Sequence, residues 1–229
     1  MRPMHVPRKA MSVLLLATVL AIAPEASDSG AQSPEARAIS QTQIVYVSKR
    51  KMLAVSPDGA HRRLIVRVPR GVVDISGSLD GRRFALLVNR PPRVGETGGD
   101  RRFYLLEPGR GAARLLLQMH EVGPLSVALS PRGSQLAFVR DGEIWVMAIG
   151  DGQAHRLTAG PGVAADPAFV PGRGEIVFTR RQAGETAVFR VALAGGPERE
   201  IVAGLFAEPA VSAAGVIAFR TRTRHSETE

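Results

Sequence analysis

A chain of 229 residues that is 45% hydrophobic and 22% charged carries enough apolar material for a sizeable core, so a disordered chain is excluded. It has no cysteine, which excludes disulfides and a lipid-modified cysteine alike. The charge of +9 rests on 27 Arg against 3 Lys, scattered over turns and strand ends without interleaved aromatics, so nucleic acid is not the expected partner.

In chain order, Arg2, Arg8 and Lys9 lead into the apolar run MSVLLLATVLAIA at residues 11–23, followed by the small and polar PEASDSGA. This is the layout of a secretory signal peptide over residues 1–31, with cleavage expected after Ala31. The apolar run is about thirteen residues, short of the roughly 20 that span a bilayer, so no stable membrane span is expected after cleavage. The expected compartment is the periplasm or the cell exterior. Residues 32–42 then read as a disordered linker, 43–221 as one folded domain and 222–229 as a disordered tail.

From Ile44 onward the chain is a succession of short β-branched or aromatic runs fenced by Gly, Pro and Asp: IVYVS, MLAVS, RRLIVRV, VVDIS, RFALLV, RFYLLE, ARLLLQM and LSVALS, then QLAFV, EIWVMAI, AHRLT, DPAFV, EIVFT, AVFRVAL, EREIV, EPAVS and VIAFR. These are 17 expected strands. No window of a dozen residues after Ala31 keeps a helical apolar period.

The runs repeat. Gly133, Gly174 and Gly215 lie 41 residues apart, and each precedes a phenylalanine in a small apolar run: Phe138, Phe178 and Phe219. Gly81 stands 52 residues before Gly133, and the excess is assigned to the polar insert Asn89–Arg102. A second turn recurs at Gly59, Gly111, Gly152 and Gly195, each 20 to 22 residues ahead of the next anchor glycine. Four strands in about 40 to 45 residues is the period of a propeller blade, a twisted meander that must stack on neighbours to bury both faces.

The stretch SPRGSQLAFVRDGEIWVMAIGDGQAHRLT, with its echoes VPGRGEIVFTR and SLDGRRFALLV, resembles the WD40-like repeats of the TolB type, over about Ile44 to Arg220. Such repeats occur in exported bacterial propellers and in the propeller domains of prolyl-oligopeptidase-like enzymes. The resemblance implies an all-β propeller of four-stranded antiparallel blades, and platforms for protein interaction. Arg132 stands where the family usually has Asp, and only Asp80-Gly81 keeps the usual turn.

With strands labelled a to d outward from the axis, b strands are expected at Ile44, Phe84, Leu136, Ile176 and Ile217, so the chain starts and stops on b. Two arrangements follow. In the preferred one, the C-terminal a and b strands join the N-terminal c and d strands and close a small ring of about four blades with one strand left over. In the other, the chain is an open arc of a larger propeller, whose unpaired apolar edge invites self-association. The b–c insert shares a face with the d–a loops MHEVG, AGPGVAADP and GLFAEP. His120, Glu121, Asp166 and Glu208 are therefore the expected residues of a channel-mouth binding site. The alternative is that Asp166 and Glu208, each directly before proline, only fix turns.

The chemical search is empty. There is no G-x-S-x-G elbow, and Ser126 and Ser130 are expected to pack in an inner strand. His5, His61, His120, His155 and His225 are isolated, the acidic turns lack calcium-loop density, and GETGGD lacks the Lys and Ser/Thr of a phosphate loop. Trp145 is expected between blades. No enzyme, metal or cofactor is expected. The expected function is an exported, non-catalytic binding module for a protein or peptide, with a propeller accessory of a prolyl-oligopeptidase-like hydrolase as the alternative.

Overall fold

The computed structural model describes residues 18–19, 43–92, 94, 99–121, 123, 125–204 and 206–221. The remaining residues of the expected signal peptide, linker and tail lie outside them.

Four antiparallel four-stranded sheets follow one another along the chain. Blade 1 holds β1 (Thr18–Val19), β2 (Ile44–Ser48), β3 (Lys51–Val55) and β4 (Arg62–Arg67). Blade 2 holds β5 (Val72–Gly77), β6 (Phe84–Arg90), β7 (Gly99–Leu106) and β8 (Arg114–Glu121). Blade 3 holds β9 (Val127–Leu129), β10 (Gln135–Arg140), β11 (Glu143–Ala148) and β12 (Ala154–Arg156). Blade 4 holds β13 (Val163–Val170), β14 (Glu175–Gln182), β15 (Glu185–Ala192) and β16 (Arg199–Gly204). β17 (Phe206–Val211) and β18 (Ile217–Thr221) form a separate hairpin.

The expected b strands all appear second in their blades. The preferred closure does not: among the described residues β17 and β18 pair only with each other, and β3 and β4 stay with β2. Of the two arrangements, the chain adopts the open arc. Blade 1 completes itself instead, because Thr18 and Val19 pair with Val45 and Ile44. These two residues belong to the apolar run of the expected signal peptide. The insert is also shorter than Asn89–Arg102, since pairing continues through Asn89↔Arg101 and Arg90↔Asp100. Gly99 permits this, because a Cβ there would stand 2.9 Å from the Arg90 carbonyl oxygen.

The b strands read as continuous apolar runs because both of their faces are buried. In β6, Phe84 and Leu86 pack toward blade 1 while Ala85 and Leu87 pack toward blade 3. In β10, Leu136 and Phe138 face blade 2 while Ala137 and Val139 face blade 4. Phe138 is fully buried, its ring 5.2 Å from that of Phe103. Each seam is thus a separate apolar layer, and stability builds blade by blade. Trp145 packs against the blade 2–3 layer from a partly buried position, under the Arg140 guanidinium at 4.9 Å.

Three of the four anchor turns, those of Gly81, Gly133 and Gly215, share one construction, Ser-x-x-Gly. The amides of Gly81, Gly133 and Gly215 donate to the carbonyls of Ser78, Ser130 and Ser212 at 2.8–3.0 Å, with φ of 64°, 67° and 79°. The serine hydroxyl then accepts from the returning strand: Ser78 from Arg83, Ser130 from Ser134 and Gln135, Ser212 from Val216. Ser130 is therefore a buried hydrogen-bonding residue of the turn rather than packing material. Ser130→Ala is expected to cost about 1–2 kcal/mol, because two amides lose their acceptor in a buried site. Urea unfolding followed by circular dichroism checks this, and Ser212→Ala at its exposed turn should cost less.

A candidate axial binding site

The innermost strands β5, β9, β13 and β17 stand side by side, and side chains of β5 and of Ser126 accept bonds from the next blade. The Val127 amide donates to Asp74 Oδ2 at 2.8 Å, the Leu129 amide to Ser76 Oγ at 2.9 Å, and the Asp166 amide to Ser126 Oγ at 3.1 Å. Ser126, like Ser130, is thus placed for a backbone bond.

These residues occupy one register. Asp74, Ser126 and Glu208 each lie seven residues before their anchor glycine, and Asp166 lies eight before Gly174, whose turn VPGRG is a residue longer. At all three acidic positions the ladder to the b strand slips: between Val72 and Asp74, Ala165 and Ala168, Ala207 and Ala210. Asp166 and Glu208 take φ of 50° and 55°. Such left-handed conformations are costly for residues other than glycine, and bulges of this kind re-aim a side chain. The two acids are therefore parts of inner-strand bulges, not of turns.

Asp74 is half-buried, and its carboxyl is pushed up to about 7. Desolvation is the main cause; the negative charges of Asp166 and Glu208 add to it, and the amides of Val127 and Ile75 oppose it. Among the described residues, no cation is one of the groups that act on Asp74. Thr179, itself buried, places its hydroxyl 3.0 Å from Asp166 Oδ2. Val73, 49% exposed, precedes Asp74 on β5, and Leu125, 37% exposed, precedes Ser126 just ahead of β9.

Asp166 and Glu208 thus share one field with Asp74, whereas His120 and Glu121 lie at the end of β8, the outermost strand of blade 2. Glu121 is held there by Arg101 at 3.6 Å and Arg140 at 3.8 Å, and His120 is exposed, opposite Asp100. Burial raises the Glu121 carboxyl. The sequence reading missed Asp74, although its seven-residue offset from Gly81 matches that of Glu208 from Gly215. Among the described residues, no group of three or more His, Asp or Glu is arranged to hold a metal ion.

No protein-family model matches the chain, and no curated protein does. Solved structures do. A TolB candidate from Agrobacterium tumefaciens superposes with a TM-score of 0.60 at 22% identity, over 78% of this chain and 65% of that one. TolB from Acinetobacter baumannii gives 0.60 at 19%, over 77% and 44%. The fold is that of a TolB-like β-propeller. An oligogalacturonate lyase solved in complex with manganese shares it, with a TM-score of 0.60 at 13% identity, over 76% of this chain and 54% of that one. The TolB-like propeller described here spans less than two thirds of the length of each of these proteins. Among its described residues, no helix is long and apolar enough to cross a membrane.

Proposed function

We propose that this TolB-like propeller is an exported, non-catalytic binding module that receives a cationic segment of a protein or peptide partner at the axial mouth. The observation that carries the reading is the line of three carboxylates, Asp74, Asp166 and Glu208, on three inner strands of a protein whose overall charge is +9. An acidic mouth on a basic body selects by charge: it attracts cationic groups locally while the rest of the surface repels them. Val73, next to Asp74, and Leu125, next to Ser126, add exposed apolar surface that a short amphipathic segment would use. Export rests on the basic, apolar and small-residue order of residues 1–31.

Fluorescence anisotropy with a labelled Lys/Leu peptide and its Glu/Leu counterpart tests the reading. The Lys/Leu peptide should bind and the acidic one should not. The double variant Asp166→Asn/Glu208→Gln should weaken binding by about tenfold, roughly 1.4 kcal/mol. His120→Ala, at the rim of blade 2, should leave it unchanged. Equal affinity for both peptides, or for both proteins, refutes an acidic axial site.

A further inference from the structure

The sequence scatters its cations, but folding gathers some of them. Lys49 and Arg50 form the two-residue turn between β2 and β3, and the Arg50 carbonyl accepts from the Val68 amide at 2.9 Å. Lys51 stands opposite Arg67 across β3 and β4. Arg70 follows in the loop to β5, where the Gly71 carbonyl accepts from the Asn89 amide at 2.9 Å, and Arg90 is the next residue. These contacts tie three segments into one stretch of the face formed by the b–c turns and d–a loops, across blades 1 and 2. All six cations are exposed.

Two local choices here oppose stability. Lys49 and Arg50 take φ of 44° and 68°, in a tight turn whose geometry glycine and asparagine meet with less strain. Lys51 and Arg67 are like charges directly opposite each other, an arrangement that destabilises a strand pair. No acid relieves it: among the described residues, Lys49, Arg50, Lys51, Arg67 and Arg70 enter no ion pair. Asp100 is buried and already holds Arg90 at 3.3 Å and Arg102 at 2.8 Å. Elsewhere the chain does pair its cations, as Arg180 with Glu143 and Glu198, or Arg83 with Glu107. The patch is left for an anion from outside.

We propose that this patch docks the propeller on a membrane surface of anionic phospholipid. Its cations stand exposed on turns and along an outer strand, so they match an extended layer of negative charge better than a single small anion. No aromatic side chain lies among residues 49–51, 67–71 and 89–92, so the stacking platform that a single-stranded nucleic acid uses is missing. Pro91 and Pro92 are exposed just beyond Arg90, and Val94 is fully exposed. They give the patch an apolar edge suited to the headgroup layer, where apolar burial and attraction to anionic lipid add.

Co-sedimentation of the full chain tests this, with vesicles of equal parts phosphatidylglycerol and phosphatidylcholine set against phosphatidylcholine alone. Residues 1–23 act alike in every variant, so the quantity read is how each substitution changes the excess binding to the anionic vesicles. Lys51→Gln/Arg67→Gln/Arg70→Gln should lower that excess by about tenfold or more. Arg82→Gln/Arg132→Gln/Arg173→Gln also removes three exposed cations, from the anchor turns at the opposite end of the blades, and should keep it. Lys51→Glu sets a carboxylate opposite Arg67, so it should raise the urea midpoint while lowering the excess, which separates lost binding from lost folding. Equal losses in the two triple variants would reduce the effect to net charge and overturn the proposal. An excess unchanged in Lys51→Glu and in the patch triple overturns it too, as does capture by heparin or duplex DNA without binding to the anionic vesicles.

Discussion

Replacing Arg180 with alanine is expected to destabilise the propeller by about 3–5 kcal/mol, because it removes one partner from a buried ion cluster and strands the others. Arg180 is 3% exposed. Its guanidinium meets Glu143 Oε2 at 3.0 Å and both oxygens of Glu198 at 3.0 and 3.1 Å, and donates to the carbonyls of Gly160 and Pro161. Glu143 belongs to blade 3 and Arg180 to blade 4, so the cluster closes that seam from the side. Glu198 also accepts from the amides of Ala159 and Gly160, and Thr158 pairs with Glu143. With Arg180 gone, two half-buried carboxylates face each other without a cation. Lysine at 180 should recover only part of the loss, since one ammonium cannot span both carboxylates. The triple change Arg180→Met/Glu143→Gln/Glu198→Gln should cost less than Arg180→Ala alone. Chemical unfolding of the four proteins measures this; a triple variant that loses as much as Arg180→Ala or more would show that the cluster is not one unit.

That cluster was not legible in the sequence, and the reason is geometric. Arg180, Glu143 and Glu198 come from separate segments, and nothing in their spacing marks them as neighbours. The blades were legible because burial on both faces leaves a local trace: LAFV at 136–139 and IVF at 176–178 are unbroken apolar runs, and the anchor glycines punctuate them at a fixed period. The axial site was half legible. The d–a loops AGPGVAADP and GLFAEP drew notice to Asp166 and Glu208, while Asp74, inside the strand run VVDIS, was passed over. His120 and Glu121 were grouped with the acids because their loop shares a face with the inner strands. Sharing a face says nothing about radius, and they stand at the outer edge of blade 2. The choice between ring and arc turned on backbone pairing, β3 and β4 staying with β2 and β17 with β18, which no spacing in the sequence announces.

The same axial carboxylates make stability depend on pH. The Asp74 carboxyl titrates at about 7 in the folded protein against 3.8 for an unperturbed side chain. Between these values the folded state holds a proton that the unfolded chain releases, so stability falls as pH rises through the window and levels off above it. The slope approaches about 1.4 kcal/mol per pH unit, and the whole effect reaches about 4 kcal/mol. Asp74→Asn has no such proton to hold. Its stability relative to the parent should therefore rise from pH 4 to about pH 7 and level off above it, whatever offset the lost acceptor at Val127 or Ile75 introduces. Urea midpoints at a series of pH values give the difference directly. Parallel curves would mean that Asp74 is solvated well enough to ionise normally, and the shared field with Asp166 and Glu208 would go with it. The sign also bears on binding. A cationic segment at the mouth favours the ionised form of Asp74, so binding releases a proton near neutrality and strengthens as pH rises through about 7. Calorimetry of the Lys/Leu peptide in buffers of different ionisation enthalpy should detect that proton, and Asp74→Asn should abolish it.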